Sequence, residues 1–388
     1  MQFIIRKVKR FFIDRILESI IPERRLVAYV IFLGRCVHRM RKPYVIAVTG
    51  SAGKSTTTEM IGSTLSHPDA ERLIGPIFYT RENMNDNWGV AATLLRFDQF
   101  LMVPWNQAAR MWLVIRATYR ALRALIGTYP KVFVLECGVG PTADLERLVT
   151  IAPPDITVVT TIGAAHLEKM KTLDGLVEEK GALVRAVPSR GLVILGDGHP
   201  YVERLRGMAR APVVTVQGRG VELARNVALA VCRQLGIPAP IAESATRDFK
   251  NPPGRLDSFD VGGMTVIDDT YNANPLSMRL GLDTLKEVAG DRRRLAILGA
   301  MAELGDDGSR YHEEIGVHAR VCADVVIGVG ELARHYKPDI WFETSAACAE
   351  RIAQLIREND YLLVKGSHSS QMWKVVVRLK EMTKASVA

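Results

Sequence analysis

Along this chain, short apolar runs recur between longer stretches in which apolar residues return every three or four positions. The runs at 45–48, 131–135, 155–162, 191–195, 213–216, 264–267, 295–298, 325–329 and 361–364 are short and rich in Val, Ile and Leu, and they read as buried strands. Segments with helical spacing lie between them: 55–65, from Trp88 onward, 176–184, and from Asn226 to 235. Alternation of this kind predicts an α/β fold with parallel sheets. It restarts near Leu295, which divides the chain into a segment 1–42, a central domain 43–270 and a smaller, Rossmann-like α/β domain 271–388.

The first 42 residues break the pattern. Ile5, Val8, Phe12 and Ile16 return at helical spacing, and Arg6, Lys9 and Arg10 fall largely on the other side, which predicts a basic amphipathic helix ending at Pro22. The apolar run that follows, 26–34, has nine residues, and spanning a bilayer needs about twenty. With no small-residue cleavage site after it, a secretory signal is not expected either. Charge sharpens the picture. Of the net +9, residues 1–42 hold eleven Lys or Arg against three Asp or Glu, which is +8, leaving +1 on the remainder. A general nucleic-acid-binding surface on the body is therefore not expected. Two readings of the segment stay open: a peripheral anchor on the inner face of the cytoplasmic membrane, or a helical hairpin packed on the body or on a partner. The stretch 99–135 contains no acidic residue, carries Trp105, Trp112, Tyr119 and Tyr129, and places Arg116, Arg120 and Arg123 on one helical face. It reads either as a second interfacial helix or as a solvated surface helix. Five single cysteines without a C-x-x-C pair indicate neither a disulfide framework nor a structural zinc site, and point to the cytoplasm.

Candidate chemistry gathers after the first strand. Thr49-Gly-Ser-Ala-Gly-Lys-Ser-Thr reads as a phosphate loop, in which Gly50, Ser51, Ala52 and Gly53 bring backbone N–H groups close to phosphate oxygens. Lys54 adds a positive charge, and Ser55 or Thr56 can hold Mg²⁺ by a hydroxyl. The spacing is shorter than the common Walker form, whose first glycine would fall on Val48. The next strands end near Glu136 and His166. Carboxyl ends of parallel strands line the ligand crevice, so these two can converge on a metal–phosphate site. Lys180, on a helix, is by default a solvated charge. Asn251-Pro-Pro-Gly-Arg255 is either a phosphate clamp or a linker. The polar loop carrying Asn83, Asn85 and Asn87 is a candidate substrate edge.

Eight motifs in order carry a resemblance: the loop above, Leu135-Glu-Cys-Gly, Thr161-Ile-Gly-Ala-Ala-His-Leu-Glu, Glu179-Lys-Gly, Pro252-Pro-Gly-Arg, Asp268-Asp-Thr-Tyr-Asn-Ala-Asn-Pro, Ala296-Ile-Leu-Gly-Ala-Met-Ala-Glu-Leu-Gly and Val364-Lys-Gly-Ser. The chain resembles the Mur ligases over 44 to about 375, and within them the branch that adds a D-alanyl-D-alanine dipeptide. The first 42 residues are not covered. Mur ligases carry a UDP-sugar-binding domain there, so the chain is expected to lack that domain.

The resemblance implies an ATP-dependent ligase that passes the γ-phosphoryl group to a carboxylate and lets an amine displace phosphate, with Mg²⁺ as cofactor. Lys54 and the loop would hold the phosphates, Ser55 or Thr56 with Glu136 a first Mg²⁺, and Arg255 the transferring group. The lysine at the position of Lys180 would be carbamylated and hold a second Mg²⁺ with His166. Asn226, Asp269, Asn272 and Asn274 would contact the nucleotide along a seam hinged near 274–275. The partners implied are a small-molecule acid and an amine or dipeptide of cell-wall or membrane-associated origin. A polymer ligase of the poly-γ-glutamate synthetase kind and a non-catalytic nucleotide-binding scaffold are the alternatives. The Asp-Asp-Thr-Tyr-Asn-Ala-Asn-Pro motif disfavours the first, and retention of the charged residues disfavours the second.

Overall fold

The computed structural model describes residues 21–81, 84–98, 106–139, 144–163, 172–247 and 249–385. Their strands, in chain order, are β1 (Tyr44–Thr49), β2 (Ile77–Tyr79), β3 (Val132–Glu136), β4 (Ile156–Val159), β5 (Leu192–Gly196), β6 (Val213–Val216), β7 (Asp257–Val261), β8 (Met264–Asp269), β9 (Arg294–Gly299), β10 (Val325–Val329), β11 (Ile340–Phe342) and β12 (Tyr361–Lys365). The first sheet runs β2-β3-β1-β4-β5-β6 and is parallel throughout. The second runs β11-β10-β9-β12-β8-β7, and of its pairs only β7 with β8 is antiparallel. Because β7 and β8 pair into the second sheet, that unit takes in chain from Asp257 onward. The sequence division at 270 falls too late, since β8 is followed by a loop and not by a domain boundary.

β1 shows why the first sheet is buried on both faces. Val45 and Ala47 enter one apolar cluster, while Ile46 and Val48 enter the other, as side chains that alternate along a strand must. Helices Lys54–Leu65 and Gly220–Gln234 cover the second face. Helices Glu23–Arg41, Asn87–Leu94, Gln107–Ile126 and Leu173–Ala186 cover the first. Strand order reverses at β1, with β3 on one side and β4 on the other. The end of β1 is thus the switch point at which parallel sheets open a ligand crevice.

The described part of the N-terminal segment packs on the body. Helix Glu23–Arg41 buries Leu26, Val30 and Val37 completely. It lies beside Gln107–Ile126, joined by Tyr29 Oη to Thr118 Oγ1 (2.8 Å), by Arg110 Nη1 donating to the Ile21 carbonyl (2.9 Å), and by Ile21 N donating to Gln107 Oε1 (3.2 Å). Residues 1–20, with the amphipathic repeat read there, lie outside the described residues. Among the described residues no helix is long and apolar enough to cross a membrane.

Gly34 permits the close approach of this helix to Asn87–Leu94, because a Cβ there would sit 2.9 Å from the Ala91 carbonyl oxygen. Gly34→Val is expected to force the two helices apart and cost about 1–3 kcal/mol. A urea-unfolding midpoint unchanged from wild type would show that the contact is soft.

Candidate active site

β1 delivers the chain to a loop locked from below by β4. Gly50 (φ +150°) cannot be another residue without a Cβ striking the Thr160 hydroxyl, and Gly53 (φ +79°) is left-handed. Ser51 N donates to the Thr161 carbonyl (2.7 Å). Ser51 Oγ donates to the Gly163 carbonyl (2.9 Å) and accepts from Gly163 N (3.1 Å). The Ala52 carbonyl accepts from both hydroxyls at the end of β4, Thr160 (2.6 Å) and Thr161 (3.2 Å).

The helix starts at Lys54, with Gly53 as its N-cap residue and no side-chain cap. Asp86, Asn106, Asp144, Thr172 and Asn274, by contrast, each cap the helix that follows them. First-turn N–H groups have no carbonyl within their own helix, so a helix start without a side-chain cap is suited to an anion.

Two lysines meet at one carbonyl. Lys54 Nζ donates to Gly50 O (3.0 Å) and Lys180 Nζ donates to the same oxygen (2.9 Å). The sequence default for Lys180, a solvated charge, is corrected: its side chain is wholly buried on helix Leu173–Ala186, which turns it inward beneath the loop. Burial first, and the Lys54 charge second, hold its ammonium well below the usual lysine range, while Glu179 opposes them. Burial also lowers Lys54, and there the carboxylate of Glu136 opposes the shift.

Glu136, buried at the end of β3, accepts from Asn85 Nδ2 (3.0 Å). Ser55, Glu136 and Arg255 line one cleft of about 1010 Å³; Thr56 is not among its walls. Arg255 stacks on the Tyr271 ring at 3.7 Å. Arg81, Lys250 and Arg255 line this cleft with Glu59, Asp98 and Glu136; the cations, with Lys54 at the adjoining loop, suit a polyphosphate, and the oxygens of Ser55 and Glu136 suit Mg²⁺. His166 and Asn83 lie outside the described residues. Asn87, 4% exposed, is the first residue of its helix, and Asn85 is joined to Glu136.

The residues expected to touch the nucleotide along the seam are mostly engaged with the protein itself. Asn226 does not open a helix; it sits inside Gly220–Gln234 and donates to the Gln217 carbonyl (2.9 Å). Asn272 Oδ1 accepts from Ala273 N (2.8 Å). Asn274 caps helix Pro275–Ala289 in a reciprocal capping box with Ser277, and its Nδ2 donates to the Ser51 carbonyl (2.9 Å), tying the second unit to the loop. Asp269 is paired with Lys365 Nζ at 2.6 Å, and Lys365 also donates to the Asn272 carbonyl (3.0 Å).

The sequence reading gives Lys365 no role of its own. The signal was a lysine ending the apolar run of β12, where burial demands a partner. Burial pushes the Asp269 carboxyl up and Lys365 pulls it back. Lys365→Met leaves that carboxylate uncompensated and is expected to cost about 3–5 kcal/mol, read as a lowered urea midpoint. A midpoint like the wild type's would mean that water replaces the ammonium. Glu303, on the second unit with φ +62°, is likewise given no role there, and its charge acts on Lys54.

A second cleft between the units, of about 950 Å³, shares Asn251 with the first and is lined by Asp197, Gln217, Arg219 and Tyr361 among others. Asp283, His318 and Cys322 form a group of metal-ligating type among the described residues, but it already holds itself by a His318 Nε2 to Asp283 hydrogen bond of 2.7 Å. All five cysteines are free.

Comparison with known proteins gives the family of the chain. A Mur ligase middle-domain model matches residues 48–102 and 117–228, and a Mur ligase glutamate-ligase-domain model matches 254–368. UDP-N-acetylmuramoyl-tripeptide--D-alanyl-D-alanine ligase of Mycobacterium tuberculosis is 29% identical over 333 residues, which are 74% of this chain and 58% of that enzyme. The chain thus spans little more than half the length of that relative. MurF from Acinetobacter baumannii superposes with a TM-score of 0.74 at 22% identity, over 92% of this chain and 80% of that one. MurF from Thermotoga maritima in complex with ADP does so with a TM-score of 0.74 at 21% identity, over 93% and 84%. Two domain models covering the loop, the seam and the second sheet, on a shared fold, make this chain a member of the Mur ligase family.

Proposed function

We propose that the protein is an ATP-dependent ligase of the MurF type, joining a carboxylate to an amine through an acyl phosphate and releasing ADP and phosphate. The observation that carries this reading is the meeting of Lys54 and Lys180 on the Gly50 carbonyl, under an uncapped helix start, with the charges of Glu136 and Arg255 close enough to act on Lys54. A carboxylate is a poor electrophile, and its activation asks the protein for position and charge neutralisation. The loop N–H groups and Lys54 hold the β and γ phosphates, and Arg255 takes the charge on the transferring group. Mg²⁺, held by Ser55 and Glu136, would neutralise phosphate charge when bound. Lys180, buried and readily neutral, has the free amine needed to take up CO₂ with release of a proton; the carbamate would then be an acidic group able, with His166, to hold a second Mg²⁺.

The reading places the enzyme in the cytoplasm, with a small-molecule acid and an amine or dipeptide as partners and no nucleic acid. ADP release that depends on amine, across a panel of amino acids and dipeptides with mass detection of the product, tests it. AMP as the stoichiometric product overturns the mechanism. Repeated addition of one amino acid would mark a polymer ligase instead.

A further inference from the structure

Helix Gln107–Ile126 has two apolar faces. At about 100° per residue, its buried residues Leu113, Ala117, Ala121 and Ala124 share one arc against the core. Met111, Trp112, Ile115, Tyr119, Leu122 and Ile126 fall within about 100° on the opposite side, and they are 45–83% exposed. Arg116, Arg120 and Arg123 follow along one flank of this stripe, and helix Glu23–Arg41 lies along the other. That neighbour turns outward Phe32, which is 59% exposed, together with Arg25 and Arg39.

Beside the stripe runs a groove of about 790 Å³ that brings together Arg96, Arg116, Arg120 and Arg123, with Asp98 as its one acid. Arg116 and Arg120 are held over the Phe97 ring at 5.1 and 4.5 Å.

We infer that this face docks on an anionic lipid bilayer, with the helix in the headgroup plane, the stripe at the acyl boundary and the arginine groove on lipid phosphates. Guanidinium groups pair bidentately with phosphate, and an amphipathic helix with aromatic and aliphatic residues on its apolar face partitions in this way. Charge rejects the other occupants. A second copy would bring one arginine row against another, and residues 1–20, with five basic and two acidic side chains, would repel the row as well. None of the stripe or arginine residues lines the cleft at the loop, so the inference stands apart from the ligase reading. Phe78 and Asp98 line both grooves, so docking brings that cleft to the bilayer surface.

Vesicle flotation of the full-length protein tests the inference. The chain is expected to float with phosphatidylcholine vesicles containing phosphatidylglycerol, much less with phosphatidylcholine alone, and to be released by high salt. Arg116→Gln/Arg120→Gln/Arg123→Gln is expected to weaken binding roughly fivefold per arginine, hence roughly a hundredfold. Ile115→Ser/Leu122→Ser, two exposed positions, is expected to weaken it at least about tenfold with an unchanged melting temperature. Inorganic phosphate matched to the lipid phosphate is expected not to displace the wild type; displacement would mean a free-phosphate site and overturn the docking surface. So would wild-type protein left in the soluble fraction at low salt. Variants that float like wild type would move the anchor to residues 1–20. A dimer in the absence of lipid, abolished by the Ile115/Leu122 substitutions, would give the face to a second copy.

Discussion

Lys180→Ala is expected to abolish nearly all turnover, by roughly 10²–10³-fold, while the protein stays folded. The side chain is buried under the loop with its nitrogen on the Gly50 carbonyl, beside Lys54. Two cations on one carbonyl are mutually repulsive, and converting one into a carbamate replaces repulsion by attraction. A short-chain carboxylic acid added to the Ala variant should restore part of the activity by filling the space of the lost carbamate.

A stability measurement gives an independent reading. Lys180 in the folded chain sits below its ordinary value of 10.5, so over that interval the unfolded chain binds the extra proton. Stability therefore rises with pH from the depressed folded value up to 10.5, and the cost of burying the ammonium is fully present below the folded value. Lys54 contributes in the same direction. In CO₂-free buffer, wild-type stability should climb over this range and Lys180→Met should climb less. Equal slopes, or full turnover of the Ala variant, would remove Lys180 from the site.

Lys54→Ala is the second large effect: a loss of roughly 10²–10³ in turnover with the melting temperature nearly unchanged. The residue is only partly buried and its ammonium rests on a carbonyl in its own loop, so the fold loses one hydrogen bond, worth about 1 kcal/mol. The substrate phosphates lose a fixed charge at the head of the helix. Lys54→Arg should not rescue, because a guanidinium of that size cannot take the ammonium's place on Gly50 O without displacing the loop. Recovery of wild-type rate by Arg would show that charge alone, and not placement, matters there.

Much of this molecule can be read along the chain because its physics is local. A strand buried on both faces must be a continuous apolar run, so nine of the twelve described strands announce themselves, and β1 could be placed before Gly50 without a structure; β2, β7 and β11, at sheet edges, do not. The glycines and Lys54 are legible for the same reason, since a backbone that must approach phosphate needs missing side chains in sequence order. Lys180 was legible only as a motif. Residue by residue it reads as a solvated lysine, and its burial follows from the rotation of helix Leu173–Ala186 against the end of β1, a contact across 130 residues.

The seam was beyond the sequence for a related reason. Asp269, Asn272 and Asn274 look like free polar groups in a run that is too acidic and amide-rich for a turn. Yet Lys365 arrives from 96 positions away to take Asp269, and Asn274 reaches 223 positions back to Ser51. The domain boundary slipped for the same cause, because β8 belongs to the second sheet only by pairing with β12, nearly a hundred residues on. Periodicity can tell that a helix is amphipathic, as it did for the arginine-bearing stretch after residue 99. Which of two apolar faces is left to solvent depends on what packs against the other, and that is settled only when helix Glu23–Arg41 and the sheet close on it. Composition and spacing act through neighbours in the chain, whereas burial and pairing act through neighbours in space, and an ionisable group takes its charge and its role from the latter.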